Sequence, residues 1–521
     1  MKKISKKVPT QQANDEQVRA SSGSVKETTN KAQSFSEIVD ATPKDRERVV
    51  DFLRAFSILS VVVGHWLISY ITQNSEGEIK GNNAIPFMEI NGFHFGWLLT
   101  WLFQVMPIFF FVGGYANFVG VRSFRRRNLG YAAFLTSRIR RMLKPVITLL
   151  FIWIPVNFII DLMNYRSEKF ANLLSKIVTQ PLWFIAVYIL VTALAWPMYN
   201  LHLKYGAKFL IFSSAIPFLI DWLSIGLNIK VLGYFNIFVW IWVHQLGFAY
   251  ADGTLMGSAV DKVKNLTQLW KKFTGLFVTI IGATGLFFCS GIQAFPEYKF
   301  LKNITHFLHI DHLPYPQSMV GLSSDKISNM NPPTVAIMFL AITQIGLVIV
   351  FRDRLQKFLQ RPKPWKITVA VNSMILTIFC WHQSALALVT VVRLALNINE
   401  PIVGSGTWWA TRALVLGCYM VVLSFIVPIF WKYERWRNDD LTGIYSRSVA
   451  ISSTVIVFIG VSGLAIGGIS DMFGSGHDIM GLFQMNSFLS ITLTICGAGA
   501  LGVLRNMNRV AQGDLNVKAI N

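Results

Sequence analysis

Apolar residues along this 521-residue chain gather into long unbroken blocks separated by polar connections, most of them short. Twelve blocks approach or exceed the roughly 20 residues that cross a bilayer as a helix. They lie at about 49–70, 96–120, 146–163, 182–201, 208–227, 233–251, 273–293, 333–351, 367–392, 407–431, 449–469 and 482–503. The pattern predicts an all-α polytopic membrane protein with about twelve transmembrane helices. Residues 1–44 hold Lys, Ser, Thr, Gln and Asn without an apolar run, which predicts a disordered tail lacking the hydrophobic region of a signal peptide. The first apolar block then serves as the insertion signal.

With the N-terminus in the cytoplasm, most Lys and Arg fall in the inside connections, at 121–145, 202–208, 252–272, 352–366 and 432–448 and in the C-terminal tail. This bias predicts a multi-pass protein of the plasma (inner) membrane with both termini cytoplasmic. Composition agrees: 53% of residues are apolar, 13% aromatic and only 14% charged, against roughly 25% charged in a soluble domain. A soluble multidomain protein is excluded. The net charge of +21 does not argue for nucleic acid, because the excess is spread over many short inside loops. Cys289, Cys380, Cys418 and Cys496 lie in apolar blocks without CxxC spacing and read as small core residues, implying neither disulfide nor metal. Beyond the tail no non-membrane stretch exceeds about 40 residues, so any chemistry falls to the helices and their loops.

The first block, VVDFLRAFSILSVVVGHWLISY, contains Arg54 and His65. A charged side chain at the centre of a membrane helix costs about 2.5 kcal/mol or more, so such residues persist where they face protein or water. Eleven positions at about 100° each return to nearly the same helix face, about 16 Å further along the axis. A topology-setting Arg and a His bonded to a neighbouring helix would satisfy the same pattern. After the second block come Arg122, Arg125, Arg126 and Arg127, then Arg138, Arg140, Arg141 and Lys144 before Pro145. Such a cluster holds topology and attracts anionic lipid; alternatively it forms a phosphate-binding mouth, since the Arg fork pairs bidentately with phosphate.

Two more intramembrane histidines, His244 in VWIWVHQLGF and His382 in TIFCWHQSAL, each precede a Gln. A backbone-bonded core His is the ordinary reading of each, and a polar cavity the sharper one. His382 falls at a depth near that of His65. The loop HFLHIDHLPYP gathers His306, His309, Asp311 and His312, but its spacing matches no recognised zinc pattern, and no metal is expected. Asp161 and Asp221, near the outer span ends, are candidates to orient a His or pair with an Arg. The last two blocks, with VSGLAIGGIS and ICGAGALG, are rich in small residues that let membrane helices approach closely, and read as packing or oligomer elements.

Together these segments resemble acyltransferase family 3, a family of integral membrane O-acyltransferases. RVVDFLRAFSILSVVVGH resembles its signature of an acidic residue, Arg and, ten residues on, His, carried here by Asp51, Arg54 and His65. MPIFFFVGGYAN resembles the second-span pattern usually ending in Ser-Gly-Phe, from which this chain departs with Gly113, Gly114 and Tyr115. TSRIRRMLKP, LWFIAVYIL around Trp183 and FCWHQSAL around His382 match further segments, while YPQSMVG, SNMNPPT and VWIWVHQLGF look like a less studied bacterial subgroup. The resemblance implies a ten-helix acyltransferase core at 45–435, preceded by the 1–44 tail and followed at 436–521 by two added helices and a short tail.

It further implies transfer of an acyl group, most often acetyl, from cytoplasmic acyl-CoA to a hydroxyl of a cell-envelope glycan, glycolipid or other small acceptor. His65, Arg54 and His382 would be the catalytic residues. Arg54, Arg122, Arg125, Arg126, Arg138 and Arg141 would hold the donor, with membrane lipids as surroundings and no nucleic acid. Direct transfer with His65 as general base and a covalent acyl-His route both fit the residues. The rival of another class is a secondary transporter using intramembrane Arg and His in a relay. That reading asks for matched carboxylates in broken helices of two halves, and no matching pair is visible in the sequence.

Overall fold

The first apolar block folds as α1, Arg48–Ile68, which runs from what we term the near end of a helical bundle to its far end. The computed structural model describes residues 46–73, 79–84, 88–90, 93–162, 168–256, 264–291, 315–320, 328–434, 446–470, 476–479 and 483–504. Contacts gather Glu47–Asn521 into one unit and Met1–Arg46 into another, of which only Arg46 is described. The expected tail at 1–44, the His306–His312 loop and the side chain of Asp161 lie outside the described residues.

Beyond α1 come two antiparallel hairpins, β1 Ser69–Gln73 with β2 Ile79–Asn83 and β3 Glu89–Ile90 with β4 Phe93–His94. The second span is broken into α2, Gly96–Phe103, and α3, Met106–Arg126. The break falls just ahead of Pro107, which cannot donate to the preceding turn. There the Gln104 side chain accepts from the Met106 amide at 3.2 Å and so caps the new helix. Next come α4 Tyr131–Leu162, α5 Glu168–Thr179, α6 Leu182–Tyr205, α7 Ala207–Asp221 and α8 Phe238–Ala251. They are followed by α9 Lys264–Leu286, α10 Val335–Leu359, α11 Pro362–Ser373, α12 Ile375–Ala395, α13 Gly406–Glu434, α14 Arg447–Gly467 and α15 Ser487–Ala500.

Eleven helical segments of the described residues are long and apolar enough to cross a membrane, and α15 is a shorter apolar helix. The protein is an all-α polytopic membrane protein. Several boundaries differ from the sequence reading, two of them with a plain local cause. The third span begins at Tyr131, because YAAFLTSRIRRMLK is built mostly of good helix formers and continues through Pro145; Arg138, Arg140 and Arg141 therefore stand on a helix rather than in a loop. The block at 482–503 divides: Phe483–Met485 pairs as β6 with β5, His477–Ile479, and Asn486 then caps α15 by accepting from the Leu489 amide.

Helices α3 and α8 approach until backbones touch. A β-carbon on Gly114 would overlap the His244 carbonyl, and one on Gly247 the Phe111 carbonyl, so Gly is required at both. Helices α14 and α15 meet in the same manner, since a β-carbon on Gly460 would fall 2.5 Å from Thr494 Oγ1 and 2.6 Å from its backbone nitrogen, and they pack on α4, α5 and α6. In contrast α7, α9 and α13 leave most of their apolar surface uncovered, as helices facing lipid do. Of the cysteines, only Cys380 is fully in the core; Cys289 is partly buried and Cys418 and Cys496 face outward, a correction that follows from their lying on the uncovered sides of α13 and α15.

Candidate active site

Arg54 and His65 share one face of α1, and α12 brings His382 against the second of them. His382 Nε2 stands 3.3 Å from His65 Nδ1, with ring centroids 5.0 Å apart. His65 Nδ1 also lies 3.0 Å from the Val61 carbonyl oxygen, and His382 Nδ1 lies 2.7 Å from that of Phe379. A carbonyl oxygen only accepts, so in the neutral pair each Nδ1 carries the hydrogen. It follows that His382 Nε2 offers a lone pair to the His65 Nδ1–H, and that His65 keeps its own lone pair on Nε2. His382 is 0% exposed whereas His65 is half-buried. Of the two imidazoles only His65 is partly accessible, and His382 lies behind it.

The residues flanking both histidines are anchored to neighbouring segments. On α12, Trp381 stacks on Phe430 at 3.6 Å and donates Nε1–H to Glu434, which also accepts from Thr377. Gln383 donates to Gln180 Oε1 at 3.2 Å, and Ser384 accepts from Trp153 Nε1. At the exit of α1, Arg412 donates to the carbonyls of Trp66 and Ser69 and pairs with Glu400 at 2.5 Å. Glu400 accepts from the Ile71 amide, and Arg393 donates to the Ile71 carbonyl. Burial pushes the Glu400 carboxyl above the usual range, against the pull of Arg412 and Arg393. None of Glu400, Arg412, Glu434 or Gln180 is among the residues singled out from sequence. Arg412, a cation inside an apolar span, carried the signal that should have found it.

At the near end, α4 sorts its basic run by helical spacing. Arg140 turns to the Leu501 carbonyl of the C-terminal helix pair. Arg138 and Arg141, three positions apart, turn instead toward Arg54, near enough that the three charges repel. Arg138 donates to the Ala116 carbonyl at 3.3 Å and lies over Phe134. Among the described residues neither Arg54 nor Arg141 makes a hydrogen bond or ion pair. Three guanidiniums thus lie within electrostatic reach of one another. Arg122, Arg125 and Arg126 stand elsewhere, on an exposed surface, where Arg125 bonds Asn200 and lies over Trp196 and Tyr199.

The other candidates are placed apart from this axis. His244 Nε2 lies 3.1 Å from Asn117 Nδ2, and its neighbour Gln245 donates to His202 Nδ1 at 3.0 Å. His202 in turn donates Nε2–H to Asp252 at 2.7 Å. Partial burial raises the Asp252 carboxyl, but the bonds from His202 and Thr254 outweigh it and hold the group below the usual range. Asp221 orients no His and pairs with no Arg among the described residues. It accepts from Asn236, from the Tyr315 hydroxyl at 3.0 Å and from the Val335 amide at 2.7 Å, tying the YPQSMVG segment to the start of α10. Among the described residues no group of three or more His, Cys, Asp or Glu side chains is placed to hold a metal ion.

Guanidiniums at one level of a bundle with eleven candidate membrane-spanning segments and a histidine pair at another are the features of this polytopic membrane protein that a family assignment has to account for. The family model for acyltransferase family 3, described as an acyltransferase domain, matches residues 48–431, and the chain belongs to that family. It is a membrane acyltransferase, an enzyme that transfers acyl groups other than aminoacyl groups, and the assignment decides against the transporter reading. The match ends just short of α14 and α15. No curated protein and no solved structure matches the chain.

Proposed function

We propose that the enzyme moves an acyl group, most simply acetyl, from a CoA thioester in the cytoplasm to a hydroxyl of a cell-envelope glycan, glycolipid or other small acceptor. The observation that carries this reading is the axis of α1: three guanidiniums at one end and an imidazole with a lone pair about 16 Å along the same face. Arg54, Arg138 and Arg141 bind the donor phosphates, and the pantetheine arm extends along α1 toward His65. His65 Nε2 takes the proton of the acceptor hydroxyl as its oxygen attacks the thioester carbonyl. When the C–S bond breaks, His65 returns that proton to the departing thiolate. His382 accepts from the Nδ1–H throughout and so steadies the imidazolium. With the near end cytoplasmic, donor and acceptor reach the site from opposite faces of the membrane.

The test is purified protein in detergent with labelled acetyl-CoA, following acyl transfer or slow thioester hydrolysis. His65→Ala is expected to lose about 10²-fold or more, the usual worth of positioned proton transfer. Retention of more than about a tenth of wild-type turnover would refute the base role. Wild-type protein inert toward every CoA thioester would refute the donor.

A further inference from the structure

Between the arginines and the histidines stands a phenol that this mechanism does not use. Gly113 and Gly120 lie two turns apart on one face of α3, and each receives a side chain from a neighbouring helix. Arg138 lies across Gly120 and bonds Ala116. Tyr188 of α6 lies across Gly113, where an added β-carbon would fall 2.6 Å from its Cε2 and 2.8 Å from its hydroxyl oxygen. Because α3 runs from the far end to the near end, Tyr188 is the deeper of the two, displaced from Arg138 toward the His65 level. Its ring stacks on Phe184 at 5.5 Å and 18°; Phe184 meets Phe379 at 5.0 Å, and Phe379 meets His382 at 5.9 Å. An unbroken aromatic wall thus joins Tyr188 to the histidine pair.

Tyr188 is half-buried, and among the described residues its hydroxyl makes no hydrogen bond, although it lies within electrostatic reach of Arg138 and Arg141. The hydroxyl is not among the buried unpartnered polar atoms, so it stays open to a ligand on the side the ring leaves uncovered. We propose that Tyr188 is a positioning residue for the acyl donor, its hydroxyl hydrogen-bonding an amide of the pantetheine arm between the arginine site and His65. Gly113 is then needed because any β-carbon there displaces the phenol. This inference rests on the reading of the donor as acyl-CoA.

The experiment measures KM for acetyl-CoA, KM for the acceptor, kcat and the unfolding midpoint for wild type and Tyr188→Phe, which keeps the ring and its stacking. KM for acetyl-CoA is expected to rise about three- to tenfold, the worth of one neutral hydrogen bond, with acceptor KM and unfolding midpoint unchanged. An acetyl thioester of a simple alkyl thiol, which has no amide, is expected to serve both proteins equally. Gly113→Ala is expected to reproduce the donor defect. Combining Gly113→Ser with Tyr188→Ala, which restores a hydroxyl from the facing helix, is expected to recover part of what Tyr188→Ala alone loses. An unchanged KM for acetyl-CoA in Tyr188→Phe overturns the inference, and so does an equal loss with the amide-free thioester; both leave Arg54-dependent transfer by wild type intact. Absence of transfer from any CoA thioester by wild type overturns the donor reading and this inference with it.

Discussion

Trp66 and Arg412 bind each other twice: the Trp66 indole donates to the Arg412 carbonyl at 3.0 Å, and the Arg412 guanidinium donates to the Trp66 carbonyl at 3.2 Å. Trp66 follows His65 directly, so this reciprocal pair sets the rotation of α1 at the level of the base. Arg412 and Glu400 are both nearly inaccessible, with side chains 4% and 6% exposed. Arg412→Ala leaves the Glu400 carboxylate buried without its closest cation and is expected to cost about 3–5 kcal/mol. Adding Glu400→Gln should recover part of that loss. Thermal unfolding in detergent of the two single variants and the double variant measures it, and a double variant no more stable than Arg412→Ala would contradict the pairing.

The histidine pair predicts unequal losses. His65 alone exposes a lone pair, so its removal should abolish transfer, whereas His382→Ala should reduce kcat by a smaller factor while leaving both KM values near wild type. His382→Gln should be milder than His382→Ala, because an amide oxygen can still accept from the His65 Nδ1–H. Steady-state kinetics on the three variants checks this order, and a His382→Ala loss matching that of His65→Ala would make His382 a direct participant.

Arg54→Lys keeps the charge but removes the fork, and is expected to raise KM for acyl-CoA several-fold with little change in acceptor KM. Arg141→Gln should act in the same direction, since Arg141 makes no hydrogen bond or ion pair among the described residues. Arg125→Gln should not, because Arg125 is engaged with Asn200, Trp196 and Tyr199 on an exposed surface. Unchanged donor KM in both Arg54→Lys and Arg54→Ala would assign Arg54 to topology alone.

The His202–Asp252 pair predicts a pH dependence with a definite sign. Asp252 is held below its ordinary value of 3.8, so the folded state binds its proton less readily than the unfolded chain. Its stabilisation is therefore complete above that ordinary value and declines as pH falls through the lower folded one. The gap in unfolding temperature between wild type and Asp252→Asn should hold steady from pH 8 to pH 5 and narrow only below about 4. A gap that closes between pH 7 and pH 5 would contradict the assignment to the carboxylate.

How much of this was legible beforehand follows from the range of the forces involved. Apolar block length is local and bilayer thickness is fixed, so the spans, the all-helical class and the two-ended polarity of α1 could be read from the residues themselves. The face shared by Arg54 and His65 needed only the helical repeat. The family segments around Asp51, Arg54, His65 and His382 were likewise local.

Tertiary structure decided the rest. Nothing in the spacing of His65 and His382, 317 positions apart, says that α12 meets α1 with one Nε2 facing the other Nδ1, because that contact depends on how the intervening helices pack. The basic run shows the same division: its composition left topology and phosphate binding both open, and only the fold brought Arg138 and Arg141 within electrostatic reach of Arg54, sent Arg140 to Leu501 and left Arg122, Arg125 and Arg126 on an exposed surface. Gly113 looked in sequence like a missing hydroxyl, and the fold places the hydroxyl of Tyr188 beside it, on a different helix. Residue type and helical period fix which side chains share a face; which face meets which is settled by close packing of whole helices, a sum over many weak contacts that no short segment contains.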